Sequence, residues 1–316
     1  VLQTALSLSY STYTEYIGSN MASFRLDRFL TLLLFYPFNK YLKRNYGVKI
    51  PILMYHSISG DREENVHPYY RVNTSPERFE EHLQFLHENQ YTVVSLGEAV
   101  KRLRENSSQW IVEKGKRSVV ITFDDGFADF YTYAFPLLRK YGFTATVFLP
   151  TGLIDGNSNG IGCKEHLSWE KVVELYGKGI EFGSHSVSHP LLREKNRVEL
   201  EFELSRSKKD IEEKIGATVA AFSFPYAFPE EDKTFVSLLK DTLSRSGYKI
   251  CVSTMLGTNS SIDDVFSLKR IPINSLDDII FFEAKLNGGY DWLGKPQYLI
   301  KVLKKAMKRV NFKPEV

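Results

Sequence analysis

The sequence predicts an α/β fold, a TIM-like (β/α) barrel, and three observations predict it. From Lys49 onward, short apolar runs alternate with amphipathic helical stretches. The runs are rich in β-branched residues and end in turn-forming or polar residues, as buried parallel strands do. About eight of them follow one another, which suits a closed barrel better than an open sheet. An open doubly wound sheet is the second choice. No G-x-G-x-x-G and no Walker A signature marks a nucleotide site.

In order, Lys49–Tyr55 reads as the first strand. Ser75 is an N-cap and Pro76 the first residue of a helix carrying Phe79, Leu83 and Leu86 at helical spacing. Tyr91–Leu96 and Ser118–Phe123 are strands, the latter running into Asp124-Asp125-Gly126. Phe130–Tyr141 is helical and Thr144–Leu149 is a strand. Ser168 caps a helix through Leu175, and Gly179–Phe182 is a short strand. Val198–Ile215 is a charged helix. Val219–Phe224, Tyr248–Ser253 and Leu268–Ile273 complete the strands. A basic amphipathic helix begins at Pro296, with Leu299, Ile300, Val302, Leu303 and Met307 as its apolar residues, and it is expected to pack on the domain.

The chain of 316 residues is long enough for a sizeable core, and 43% hydrophobic with 25% charged residues is ordinary for a folded protein. Disordered, collagen-like and disulfide-scaffold classes are excluded. A net charge of +3 gives no sign of a nucleic-acid partner. Cys163 and Cys251 make no disulfide framework. Residues 1–46 read as an N-terminal extension, 47–295 as the catalytic domain and 296–316 as a C-terminal helix. Phe29–Phe38 is an apolar run of about ten residues, where a bilayer span needs about 20. It suits an interfacial helix or a signal remnant. Segments 29–38 and 296–312 are those a peripheral membrane contact would use, and a cell-envelope or membrane-associated location is favoured over the cytoplasm.

Three motifs sit where strands end, which in a parallel barrel is where chemistry occurs. Asp124 and Asp125 are adjacent carboxylates, costly to bury together unless a cation relieves them. His185 and His189 are four apart, the spacing of metal ligands on one face of a helical turn. Two imidazoles and a carboxylate leave a coordination position open, the catalytic pattern. Ser223-Phe224-Pro225-Tyr226 leaves a strand through a proline, and Tyr226 can offer a backbone N–H and a ring. Read singly, each motif also fits a bland role: a solvated turn, a histidine pair at chance spacing, a strand exit.

TFDDG, H-S-x-x-H and F-x-F-P-Y, in this order, resemble the polysaccharide deacetylases with a NodB-type catalytic domain, carbohydrate esterase family 4. Leu167-Ser168-Trp169-Glu170, the run Gly179–His185 and Thr144–Leu149 add to the resemblance, which spans roughly Lys49–Asn274. It implies a distorted (β/α) barrel and a divalent metal, zinc first, with nickel, cobalt or iron as alternatives. It implies removal of N-acetyl groups from an N-acetylated glycan with release of acetate. By resemblance Asp125, His185 and His189 are metal ligands, Asp124 the general base, and the Tyr226 N–H, beside Pro225, an oxyanion donor. Trp169 is assigned either to a sugar groove or to core packing.

Two departures stand out. The third motif has Ser223 and Ala227 where the family has Arg and Gly. Arg270, in the last strand, is the candidate for the missing charge. No histidine follows His189, so the family's usual C-terminal acid is lacking. His56, at the end of the first strand, is well placed, as in the rearranged members that deacetylate poly-N-acetylglucosamine. His67, His82, His87 and His166 are given structural roles, with His82 and His87 on the exposed or half-buried side of their helix. An O-acetyl, xylan-type esterase and a glycan-binding relative with weak turnover are the competing functions.

Overall fold

The computed structural model describes residues 25–41, 49–61, 63, 66–105, 117–156 and 164–310. In chain order the strands are β1 (Ile52–Tyr55), β2 (Ser57–Ile58), β3 (Asn73–Thr74), β4 (Thr92–Val93), β5 (Ser118–Phe123), β6 (Thr146–Leu149), β7 (Glu181–Ser184), β8 (Ala221–Ser223), β9 (Ile250–Leu256) and β10 (Leu268–Pro272). The helices are α1 (Pro76–Glu88), α2 (Leu96–Glu105), α3 (Phe135–Tyr141), α4 (Trp169–Gly177), α5 (Arg197–Ile215), α6 (Lys233–Arg245), α7 (Ile279–Leu286) and α8 (Gly294–Val310). A further helical segment occupies 26–41.

The barrel is closed, with seven parallel strands in the ring. β5 through β10 pair in sequence, omitting none, and β1 pairs with both β10 and β5. The predicted strand at Tyr91–Leu96 forms only as β4, which pairs with Ser118 and Val119 and stays outside the ring. Two residues per strand in β2 and β3 make a separate small parallel pair beyond the end of β1, too short for a periodicity reading to detect. Ser75 accepts from the Arg78 N–H and Ser168 from the Lys171 N–H, so both predicted caps form.

Period-two alternation builds two cores. Leu53, Ile121, Val147, Phe182, Phe222 and Ile271 pack outward with the helices. Ile52, Val120, Phe148, Ala221 and Val252 form a second cluster inside the ring. Phe148 faces Gly183 across the β6–β7 pairing. A Cβ at Gly183 would lie 2.4 Å from the Phe148 ring, so only glycine fits there.

His82 is fully buried, against the sequence expectation. Tyr55 Oη bonds its Nδ1 at 3.1 Å, and its Nε2 lies 2.7 Å from the Asp277 carbonyl. Stacking on Phe282 completes its setting. Cys251 is buried as a free thiol; Cys163 and the first 24 residues lie outside the described residues.

A buried ionic knot fastens the N-terminal helical segment to the barrel. Asp277 accepts from Lys285 at 2.8 Å and from Arg25 at 3.2 Å. Lys285 and Asp277 side chains are 1% and 0% exposed, so neither charge has solvent to fall back on. Removing one partner of such a pair costs about 3–5 kcal/mol, because the other charge stays buried. Asp277→Ala is therefore expected to lower unfolding stability by about that much in urea titration, whereas a cost below about 1 kcal/mol would mean that the knot is solvated.

Candidate active site

Five strand ends converge on one mouth of the barrel. β5 delivers the carboxylates: the Asp124 N–H bonds the Tyr55 carbonyl at 3.0 Å, which registers β5 against β1. The chain then turns sharply, with Asp125 at φ 68° and Gly126 at φ 59°. The left-handed turn carries Asp125 to the same side as Asp124, although neighbours in a strand point apart.

The histidines sit on a turn, not on the helical turn their spacing suggests. Ser186 and His189 have φ of 69° and 50°. The turn is held from behind. Glu203 accepts from the N–H groups of Val187 and Ser188 and from the Ser188 hydroxyl, at 2.7 to 3.0 Å. Glu203 was missed in the sequence, yet a signal existed. It falls on the buried α5 face with Leu200, Leu204, Ser207 and Ile211, where a carboxylate needs partners.

Asp125, His185 and His189 come together with their ligand atoms within 4.8 Å of one another, all three buried. Both imidazole Nε2 atoms stand 3.5 Å from Asp125 Oδ1. His185 Nδ1 lies 2.7 Å from the Ser223 carbonyl. A carbonyl only accepts, so Nδ1 carries the proton and Nε2 presents its lone pair to the centre. Asp125 Oδ1 is buried with no hydrogen-bond partner. An orphaned carboxylate oxygen facing two imidazole nitrogens is the donor set of a divalent cation such as zinc.

Asp124 is held differently. Arg270, wholly buried on β10, grips it through two bonds of 2.7 Å, one to each carboxylate oxygen. The same guanidinium donates to Ser223 Oγ at 3.0 Å, and Ser223 donates to Asp124 Oδ1 at 3.1 Å. Arg270 Nε is anchored on the Ser253 carbonyl. Thus the charge missing at Ser223 is supplied from two strands away, with Ser223 as a bridge. His56 Nε2 faces Asp124 Oδ2 at 4.0 Å.

Tyr226, at φ 57°, leans its ring on His189 with centroids 4.5 Å apart. With Pro225 and Phe224 it lines a cleft of about 580 Å³ whose other walls include Leu191, Phe228 and Lys301. Trp169 is not brought to this mouth. It opens α4, packs half-buried on the core, and has the Lys214 ammonium 5.6 Å from its ring. His67 caps a short 3-10 turn at the surface. His166 is buried, its ring 5.3 Å from Phe127.

Burial and charge push the two carboxylates apart. Burial raises Asp124, but Arg270 and His185 outweigh it and hold the group well below the usual carboxylate range. Burial and the Asp124 charge push Asp125 up to about 8. Burial lowers His56 to about 4, with Asp124 opposing, and lowers His189 to about 3 with the help of His185.

The family model for polysaccharide deacetylase matches residues 111–244. The chain carries a polysaccharide deacetylase domain. The matched span holds Asp124, Asp125, His185, His189 and Tyr226, while His56 and Arg270 reach the deacetylase site from strands outside it. The Bacillus subtilis (strain 168) protein YxkH, whose name places it among polysaccharide deacetylases, is 29% identical over 74% of this chain and 75% of its own. The Staphylococcus epidermidis poly-beta-1,6-N-acetyl-D-glucosamine N-deacetylase is 30% identical over 51% of this chain and 56% of its own, so the chain spans about half of that relative. The Streptococcus pyogenes deacetylase PplD, solved with acetate, matches with a TM-score of 0.65 at 27% identity, covering 76% of this chain and 99% of that one. The fold is that of the NodB-type distorted barrel, and the matched domain is one of deacetylating hydrolases.

These shifts set a stability profile for the metal-free deacetylase domain. His56, His82, His185 and His189 have folded values below 6.5, so the unfolded chain binds more protons and stability rises with pH up to about 6.5. Asp125 has the opposite sign: the folded form binds the extra proton, and stability falls as pH rises toward about 8. Melting temperature without metal is expected to peak near pH 6.5 and decline toward pH 8. Added zinc should abolish that decline, whereas an unchanged profile with zinc would remove Asp125 from the ligand set.

Proposed function

We propose that the chain is a metal-dependent deacetylase that hydrolyses the N-acetyl amides of an N-acetylglucosamine polymer and releases acetate. The observation that carries this reading is the orphaned Asp125 oxygen facing two imidazole Nε2 atoms, beside a second carboxylate kept ionised by Arg270. The polymer class follows the name of the staphylococcal relative, and the location we favour is the cell envelope.

A divalent ion held by Asp125, His185 and His189 would polarise the acetyl carbonyl and acidify a water. Asp124 would be the base that accepts a proton there. Its Oδ1 already accepts from Arg270 and Ser223, and its Oδ2 from Arg270 alone. Oδ2 therefore keeps the lone pair that receives the proton. A carboxylate so stabilised is a weak base, so it stays ionised at neutral pH and depends on the water being acidic. The Tyr226 backbone N–H steadies the oxyanion, and its ring with Pro225 offers an apolar face to the sugar.

His56 passes on to the departing nitrogen the proton that Asp124 has taken up, its Nε2 facing Asp124 Oδ2 at 4.0 Å. In the resting site its imidazole is neutral, since burial holds it down to about 4. Negative charge building on the substrate raises it during the reaction. Arg270 positions Asp124 and does not touch substrate.

The test pairs elemental analysis with acetate release from β-1,6-linked N-acetylglucosamine oligosaccharides. Wild type is expected to hold one divalent metal and release acetate. His56→Ala should keep the metal and lose about 10²–10⁴-fold in kcat. A fully active His56→Ala would move the acid elsewhere, and a metal-free wild type would overturn the centre. Release from acetylated xylan but not from the amide substrate would make the enzyme an esterase.

Arg270→Lys keeps the charge but loses the two-toothed grip. We expect kcat to fall about tenfold or more with KM nearly unchanged. An equal rise in KM would instead place Arg270 in substrate binding.

A further inference from the structure

We propose that the two terminal helices form a docking surface for an anionic lipid bilayer. The observation behind this is an inversion of polarity, and the inference is independent of the reaction proposed above. Leu299, Ile300, Leu303 and Met307 recur at helical spacing on α8 and are the residues that ordinarily face a core. Here they are 52% to 59% exposed. The face turned to the barrel is polar. Gln297 bonds the Leu256 N–H and the Thr254 carbonyl. Lys301 bonds the Phe228 carbonyl and Glu230 at 2.9 and 3.0 Å, and Lys305 reaches Asp232 at 3.5 Å.

The N-terminal segment 26–41 repeats the inversion. Thr31 accepts from Trp292 Nε1, Tyr36 donates to Glu283, and Asn39 donates to the Gly288 carbonyl. Meanwhile Leu26, Leu33, Leu34 and Phe38 are 56% to 59% exposed. Phe35 stacks on Trp292 at 4.6 Å, just before α8 begins. Trp292 thereby ties this segment to the turn from which α8 starts. Apolar residues scattered singly on a surface need no partner, but rows of them do.

Charge selects the partner. Residues 294–313 hold six lysines and one arginine, with no Asp or Glu. Lys295 and Lys304 are exposed beside the apolar strip. A basic helix with an outward apolar face binds the interface of an anionic bilayer. A second copy of this face would set lysines against lysines. No described helix is long and apolar enough to cross a membrane, so the helices would lie along it. None of the four apolar α8 residues lines the cleft beside Tyr226, whereas Lys301, Lys304 and Lys305 of the same helix do.

The test is sedimentation of the full chain with phosphatidylcholine vesicles containing about one quarter phosphatidylglycerol, against vesicles of phosphatidylcholine alone. Wild type is expected to bind the anionic vesicles, more weakly as salt rises. The surface variant L299Q/I300Q/L303Q/M307Q should bind at least about tenfold more weakly, with melting temperature and acetate release from soluble oligosaccharides unchanged. Should that variant not fold, L33Q/L34Q/F38Q on the other helix gives the same readout. Absence of wild-type binding to anionic vesicles, or binding untouched by both variants, overturns the proposal. A dimer in sedimentation velocity that the same substitutions abolish would assign the face to a second copy instead.

Discussion

The pairing of Arg270 with Asp124 inside a closed barrel is the constraint on which the mouth of the molecule depends. A guanidinium with no solvent exposure must have every donor answered, and here Asp124, Ser223, the Thr122 hydroxyl and the Ser253 carbonyl answer it. Those partners stand on β5, β8 and β9, so one side chain fixes the relative height of strands far apart in sequence. Coulomb attraction in a dry interior is strong enough to hold a carboxylate ionised beside a second carboxylate. That difference separates the two acids chemically. One is a permanent anion, and the other is a ligand short of its cation.

Much of this was legible in the sequence because parallel strands buried on both faces read as plain apolar runs. Ser118–Phe123 appears in the structure with the bounds its β-branched residues suggest. The metal triad was legible because its residue types are rare together at strand ends. The backbone that presents it was not. The i, i+4 spacing of His185 and His189 suggested a helical turn, but it arises from a left-handed turn pinned by Glu203. Spacing along a chain reports proximity without conformation. His82 shows a different limit. Its place on α1 followed from periodicity, but its burial depends on Asp277 and Phe282, nearly 200 residues away.

The polarity of the terminal helices was equally out of reach. An amphipathic pattern tells which residues share a face, not which face meets the domain. For α8 the usual assignment fails because the barrel surface beneath it offers carbonyls and carboxylates, from Thr254, Phe228, Glu230 and Asp232. Lysines and a glutamine satisfy such a surface better than leucines do.

The left-handed backbone at Asp125, Ser186, His189 and Tyr226 has a consequence for descent. Each such non-glycine residue carries about 1–3 kcal/mol of conformational strain, and His189 touches the other three: Asp125 at 3.5 Å, the Tyr226 ring at 4.5 Å and the Ser186 hydroxyl through its N–H. Selection for turnover must therefore act continuously against a gradient in folding free energy. In a lineage that no longer needs the reaction, replacements by glycine or asparagine at these positions would become favourable on stability grounds alone. Such a chain would keep its barrel, lose its centre first, and gain robustness as it did so.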